Sequence, residues 1–479
     1  MNAPILKLFL LVLVLFGALA AMTSYNSVIN AEEYRDNALN KRPQIAQAQI
    51  KRGAIRARDG SALARSVKDE DGLYRRRYAP EAQRFAHVLG YDFALGIGRA
   101  GLERARNAAL VGEKDEITSI VDDLSGKRRV GDNVVTNLDP RAQKVAVDAL
   151  GGRRGAVVAI EPGTGKVRVM ASMPGYDPNS LRRAATYQRL AGAPNSPLFN
   201  RATQAGYAPG STMKIVTAAA ALDSGRFTPD STVSGKSPII VSGVPLRNFS
   251  DQQFGSITLT TALTNSVNTV WAQVAERLGR DRMDEYMERF GFGSDLPLDY
   301  PDGQIFPSGV YSKNGELIDG DSGEVDIGRV GIGQERLRVT PLQMATVAAT
   351  VANGGVRMAT RITSRIVDPD GRTVERIEAE EAERVMSAQS ARQLTQMMSN
   401  VVREGTGTAA ALEGIEVAGK TGTAELNIAR RINQPWFVGF APRSNPKVAI
   451  AVTLENVVGG QGGVVAAPIA KRVMQELLR

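Results

Sequence analysis

Pro209-Gly210-Ser211-Thr212-Met213-Lys214, followed by the alanine-rich run Ile215 to Leu222, decides how the second half of this chain is read. Pro-Gly-Ser ahead of an apolar run marks a helix start, and the run is too hydrophobic for a solvated helix. Ser211 then stands at a helix N-terminus, where free amide groups and the positive dipole end favour developing negative charge. Lys214, three residues on, shares its face. A buried lysine loses its proton because desolvation disfavours the cation. Lys214 can therefore take the hydroxyl proton of Ser211 and turn the serine into a nucleophile. A solvent-facing serine and lysine on a surface helix is the ordinary alternative, and the apolar run argues against it.

Two further strings follow. Thr264-Asn265-Ser266-Val267-Asn268 precedes a helix expected from Thr269 to Leu278, with Val270, Trp271, Val274 and Leu278 on one face. Alone, Ser and Asn there are a helix cap. Beside a serine–lysine pair, Ser266 becomes a proton relay toward a leaving amine, and Asn268 a partner for a substrate amide or for Lys214. Lys420-Thr421-Gly422-Thr423 lies on a short strand from Gly419 to Ala424. Such a strand can pair with an extended peptide, and Gly422 removes a side chain where substrate must come close. Lys420 supplies positive charge, and the Thr421 and Thr423 hydroxyls suit a terminal carboxylate. Main-chain amides of Ser211 and Thr423 would form an oxyanion hole. A Ser-x-x-Lys string arises roughly once or twice by chance in a chain this long, so the order and context of all three strings carry the reading.

Composition removes the competitors. The 479 residues are 43% hydrophobic and 23% charged, as in a folded protein. No cysteine is present, which excludes thiolate nucleophiles, thiolate metal sites and disulfides. The single histidine, His87, lies in an apolar context far from the strings and is read as structural, so neither a Ser-His-Asp triad nor a multi-histidine zinc site is available. No metal or cofactor is expected. The net charge of +9 comes without basic runs interleaved with aromatics, which make up 5% of the chain, so nucleic acid is not an expected partner.

Leu8 to Met22, with Ile5 and Leu6 before it, is long enough to span a bilayer, with Lys7 near the cytoplasmic end. Ala18-Leu19-Ala20 also offers a cleavage pattern. An uncleaved anchor is preferred, because Tyr25 to Arg42 reads as a continuing helix. Residues 1–23 are thus an anchor, and 24–150 a small N-terminal pedestal. In the pedestal, Lys51 to Gly60 reads as a strand entering an Asp-Gly turn, Gly101 to Leu110 as helical, Val134 to Leu138 as a strand and Arg141 to Leu150 as a helix. Residues 151–479 open with a hairpin, Ala156 to Ile160 and Lys166 to Ala171 around Pro162-Gly163-Thr164-Gly165. Helices follow, including Thr340 to Val351. The chain then gives strands Trp436 to Ala441 and Val448 to Leu454 around an Asn445-Pro446 turn, and a closing helix, Ala466 to Leu478. This is an α+β fold, an antiparallel sheet packed with helices.

The chain resembles the penicillin-binding proteins, specifically the class B transpeptidases, and among them the short-pedestal, actinobacterial-type penicillin-binding protein A. The three strings are the Ser-x-x-Lys, Ser-x-Asn and Lys-Thr-Gly pattern of that family. The likeness also covers Arg52-Gly53 with Arg58-Asp59-Gly60, Asn200-Arg201-Ala202, Gly331-Ile332-Gly333-Gln334, Thr340-Pro341-Leu342-Gln343 and Trp436 to Phe440. Ala57 stands where such openings carry Asp or another polar group. The resemblance implies acylation of Ser211 by a D-Ala-D-Ala stem peptide of peptidoglycan, then transfer to an amine of a neighbouring stem, with β-lactams acylating the same serine. It implies a single-pass membrane protein with an extracytoplasmic catalytic domain, working beside cell-division or elongation proteins. Two other readings use the same residues: a D,D-carboxypeptidase or β-lactamase-type hydrolase, with Glu425 the nearest acid in the chain to the Lys-Thr-Gly strand, and a scaffold of the division or elongation machinery.

Overall fold

In the computed structural model, which describes residues 3–29, 42–93, 96–113 and 129–479, the strand Gly155–Glu161 is buried on both faces. Ala156, Val158 and Ile160 enter one apolar core, and Val157 and Ala159 another. Successive strand side chains point to opposite faces, so a strand covered on both sides must be apolar at every position. The strand belongs to an antiparallel sheet ordered Ala418–Asn427, Ile432–Ala441, Val448–Leu454, Gly155–Glu161, Lys166–Met173, with Val457–Val458 paired to Ile432–Ala441. The hairpin at Pro162 to Gly165 and the turn at Asn445-Pro446 form as expected.

Helices Pro140–Leu150 and Ala467–Leu477 cover one face of this sheet. The other face is covered by Pro341–Ala352, behind which lie Lys214–Asp223 and Asn268–Leu278. The segment Arg141 to Leu150, read from sequence as part of the pedestal, packs instead on the large sheet: Ala142, Ala146 and Leu150 share a core with Val157 and Val169. Asp139 caps this helix, its side chain accepting from the amides of Arg141 and Ala142. Thr340 does the same for Pro341–Ala352, accepting from the Gln343 amide at 3.0 Å, while Gln343 donates to the Phe290 carbonyl at 2.8 Å. These two bonds account for the Thr-Pro-Leu-Gln string.

The second sheet runs Thr373–Arg376, Thr363–Val367, Asn133–Thr136, Ile55–Arg56, Ala62–Lys68, Tyr74–Tyr78. Only Ile55–Arg56 with Asn133–Thr136 is parallel. Two of its strands, from Thr363 to Arg376, come from more than 200 residues downstream of the others, so late sequence completes an early sheet. Ala57 is fully buried in the apolar core, so a polar group would have no place there.

Beneath this sheet lies a buried ion cluster. Glu103, fully buried, receives Arg52 Nε at 3.1 Å, Arg76 Nε at 2.5 Å and the Tyr78 hydroxyl at 3.2 Å. Arg52 also meets Asp92 at 3.1 Å and donates to Asn107 Oδ1 at 2.6 Å. Next to it, a Cβ on Gly53 would lie 1.8 Å from the Asp132 carbonyl oxygen, so no other residue fits. The Arg52-Gly53 pair is thus one buried charge and one close backbone contact.

The helix Ala3–Val28 contains a stretch, Ala3–Ser27, long and apolar enough to cross a membrane. The continuation expected from Tyr25 to Arg42 lies mostly outside the described residues.

Removing one partner of a buried ion pair strands the other charge, at a cost of about 3–5 kcal/mol. Glu103→Ala, which strands Arg76 and leaves Arg52 with Asp92 as its acid, is expected to lower the stability of the pedestal by about that range, read as a shifted transition in denaturant unfolding. A shift below about 1 kcal/mol would show that water already screens the cluster.

Candidate active site

Ser211 sits in a 3₁₀ turn, Gly210–Met213, that leads into the helix Lys214–Asp223. Gly210 starts the turn with φ 53°, the left-handed region glycine favours. Its amide donates to the Gly333 carbonyl at 3.0 Å, and a Cβ on Gly333 would lie 2.0 Å from the Gly210 oxygen. The Gly331 carbonyl accepts from Thr217 Oγ1 at 2.6 Å, one turn beyond Lys214. The Gly-Ile-Gly-Gln string is therefore the floor on which the serine turn rests.

Lys214 is fully buried. Its Nζ lies 2.9 Å from Ser211 Oγ, 2.8 Å from the Ser266 carbonyl, 3.3 Å from Ser266 Oγ and 2.7 Å from Asn268 Oδ1. Asn268 Nδ2 donates to the Arg247 carbonyl at 3.1 Å, which turns its oxygen toward the lysine. None of these partners is a carboxylate. Burial, and after it the nearby charge of Lys420, holds the Lys214 ammonium well below the usual lysine range. A neutral amine suits the geometry. It donates two protons, to the Ser266 carbonyl and Asn268 Oδ1, and aims its lone pair at the Ser211 hydroxyl.

Ser266 does not cap the following helix. The cap position of Asn268–Leu278 is Val267, without a side-chain bond, and Ser266 lies before it with φ 58°. A non-glycine residue held there costs on the order of 1–3 kcal/mol. The turn it makes aims both its carbonyl and its hydroxyl at lysines. Lys420 Nζ, also fully buried, donates to Ser266 Oγ at 2.9 Å and to the Thr421 carbonyl at 2.9 Å. Burial brings its pKa down to about 7. Ser266 Oγ thus stands between two lysines, a bridge the sequence alone does not reveal.

Thr421 Oγ1 pairs with Thr406 Oγ1 at 2.6 Å, and Thr423 Oγ1 accepts from the Gly462 amide at 3.2 Å. One hydroxyl of the threonine pair, and that of Thr423, keep a proton to donate into the groove. Gly422 serves a different neighbour from the one expected: a Cβ there would meet the Pro209 carbonyl at 2.8 Å and Thr212 Cγ2 at 2.9 Å. The missing side chain admits the serine turn against the strand, and Gly210 in return touches Thr423 and Ala424.

Ser211, Ser266, Asn268 and the strand from Thr421 to Ala424 line a groove of about 1840 Å³, open to solvent. All eight candidate residues from the three strings are brought together at or directly beneath its floor. Sequence reading missed Thr406, Gly462 and a polar wall of the groove in which Glu455 holds Arg201 Nε at 2.8 Å, Arg154 Nε at 2.6 Å and the Tyr207 hydroxyl at 2.5 Å. Asn200-Arg201-Ala202 and Tyr207 belong to quoted strings, but nothing in them points to an acid 254 residues away. His87 is structural, as expected. It is buried, with Nε2 2.8 Å from the Pro197 carbonyl, and burial lowers its pKa to about 4.

Fold and groove are those of a penicillin-recognising transpeptidase. The family model for the penicillin binding protein transpeptidase domain matches residues 155–475, and that for the penicillin binding protein A dimerisation domain matches residues 52–134. The peptidoglycan D,D-transpeptidase PbpA of Mycolicibacterium smegmatis is 34% identical over 503 residues, covering all of this chain and 99% of that protein. The structure of penicillin-binding protein A from M. tuberculosis as a penicillin G acyl-enzyme complex superposes with a TM-score of 0.79 and 33% identity, over 90% of this chain and all of that one. A D,D-transpeptidase domain from Eggerthella lenta gives a TM-score of 0.79 at 33% identity, over 90% and 99%. The chain belongs to the penicillin-binding protein transpeptidase family.

The lysine arrangement sets a pH dependence. Protonated Lys214 has no lone pair for the serine proton, so the acylation rate is expected to fall as pH falls through its lowered pKa, by about tenfold per unit below it. Stopped-flow acylation by a β-lactam checks this, and a rate that rises as pH falls would remove the neutral amine from the scheme. Stability has the same sign for Lys420: between about 7 and its ordinary 10.5 the unfolded chain holds a proton the folded one has lost, so stability rises with pH through that window.

Proposed function

We propose that this protein is a peptidoglycan D,D-transpeptidase that works through a Ser211 acyl-enzyme, and that β-lactams acylate the same serine. The observation that carries the reading is Ser211 Oγ at 2.9 Å from a buried lysine amine with no carboxylate among its partners.

In this reading the terminal carboxylate of a D-Ala-D-Ala stem binds the hydroxyls of Thr421 and Thr423, beside the Lys420 side chain. The stem lies along the strand Ala418–Asn427, and the amides of Ser211 and Thr423 receive the scissile carbonyl oxygen. Lys214 Nζ takes the Ser211 proton as Oγ bonds to the carbonyl carbon. The C–N bond then breaks, and the departing D-alanine amine takes a proton through Ser266 Oγ, which the two lysines flank. An amine of a neighbouring stem enters by the reverse path, gives up a proton and leaves Ser211 free. Asn268 keeps Lys214 aimed. In a β-lactam the broken bond belongs to a ring, so the leaving nitrogen stays attached and the acyl-enzyme persists.

Hydrolysis would need a base for water. Glu425 lines the groove two residues past Thr423 but is exposed to solvent, and Glu455 is occupied by Arg154, Arg201 and Tyr207. Both arrangements favour a long-lived acyl-enzyme over rapid turnover. We assign residues 1–23 to a membrane anchor, 24–139 to the pedestal and, because the helix Pro140–Leu150 packs on the large sheet, 140–479 to the transpeptidase domain. The helix Ala3–Val28 supports single-pass attachment with the groove outside the cytoplasm, and the pedestal is the surface for division or elongation proteins.

Fluorescent penicillin labelling of the full-length protein tests the function. Covalent labelling is expected in the wild type, lost in Ser211→Ala and stable for hours. Undiminished labelling of Ser211→Ala would overturn the assignment, and an adduct that disappears within seconds would make the protein a hydrolase.

A further inference from the structure

Far from the groove, a cavity of about 290 Å³ lies between the pedestal and the segment Leu181 to Ala184 of the catalytic half. Five arginines line it, Arg52, Arg75, Arg76, Arg99 and Arg182, against two aspartates, Asp69 and Asp92. Most of this charge is matched. Arg52 is held by Glu103 and Asp92, Arg99 by Asp92 at 2.7 Å, and Arg75 by Asp69 and Asp71 at 3.1 and 2.5 Å.

Among the described residues, three guanidinium nitrogens of this lining have no hydrogen-bond partner: Arg75 Nε, which still lies 3.1 Å from an Asp69 oxygen, and Arg76 Nη2 and Arg182 Nε. Arg76, whose side chain is 1% exposed, spends Nε on Glu103 and Nη1 on the Gly53 carbonyl, and its Nη2 has no partner. Arg182 donates through Nη2 to the Arg76 carbonyl at 2.7 Å, and its buried Nε has no partner either. An unmatched buried guanidinium N–H is costly, and those of Arg76 and Arg182 call for an acceptor. A planar guanidinium edge fits the oxygens of a phosphate better than any neutral group. The rest of the wall is apolar, with Ile50, Phe93, Ile97 and Leu181. The helix Arg42–Ala48, which adds Gln47 and Ala48 to the lining, begins 14 residues after the end of the apolar helix at Val28. At most about 3.5 Å per residue then separates the cavity from the end of that helix.

We propose that this cavity is an anion site for a phosphate ester carrying an apolar portion, held by Arg76 Nη2 and Arg182 Nε. A ligand there would bridge the two halves of the molecule, since Arg76 belongs to the pedestal and Arg182 to the catalytic half. The phosphate comes either from a membrane lipid headgroup or from a soluble phosphate ester.

Calorimetric titration of the full-length protein in detergent, with glycerol phosphate and separately with dihexanoyl phosphatidic acid, tests the site. Both are expected to bind, and Arg182→Gln is expected to weaken both by at least tenfold. Arg76 anchors the Glu103 cluster, so its replacement would confound folding with binding, whereas Arg182 makes one backbone contact. Penicillin labelling of Arg182→Gln at the wild-type rate serves as the folding control, and Arg182→Lys, which keeps the charge but lacks the Nε–H, as a second variant should that control fail. Tighter binding of the lipid than of glycerol phosphate assigns the site to a headgroup, and equal binding to a soluble ester. No binding of either at about 10 mM, or affinity unchanged in the variant, overturns the proposal.

Discussion

The burial of Lys214 among neutral oxygens is the constraint on which the catalytic half depends. A lysine placed beside a carboxylate would keep its proton and could not serve as a base. Here its partners are a hydroxyl, a backbone carbonyl and an amide oxygen, and the nearest charge is another cation. The cost of removing this amine from water is met by the apolar core that holds the helix Lys214–Asp223 in place, a helix in which every residue from Lys214 to Leu222 is buried. The serine is reactive because the protein around it is stable enough to keep its neighbour uncharged.

Close backbone packing makes this environment reproducible. The turn at Gly210 is pressed between Gly333 below and the Gly422 to Ala424 stretch of the edge strand, with Gly462 packed on the Gly422 and Trp436 backbones from behind. Each glycine leaves no room for a side chain, so the distances in the site are set by main-chain contacts and not by rotamers. That separates positioning from chemistry: the side chains that react lie on a platform they do not build.

Much of this was legible in the sequence, for reasons that can be named. The serine turn, the hairpin around Pro162 to Gly165 and the helices expected at Arg141 to Leu150 and Thr340 to Val351 are local signals, and each formed where its pattern indicated. What sequence did not reveal was long-range. Glu103 as the partner of Arg52, Glu455 as the partner of Arg201 and Thr406 as the partner of Thr421 all depend on tertiary approach between distant segments. The role of Gly422 was misread because a missing side chain shows that something comes close, not what does. The helix Pro140–Leu150 was misplaced because its amphipathic pattern shows that it covers an apolar face without saying which one.

The strands from Thr363 to Arg376 carry a consequence for how such chains diversify. They join the pedestal sheet along Asn133–Thr136, and the helix Pro140–Leu150 crosses the other way to cover the large sheet. The two halves are therefore interleaved rather than strung end to end. A recombination event with a breakpoint near residue 150 would leave Asn133–Thr136 as a bare edge in one product and a homeless hairpin in the other, each an invitation to aggregate. Exchange between related chains is thereby restricted to swaps that carry both crossings together, so pedestal and catalytic half descend as one inherited unit.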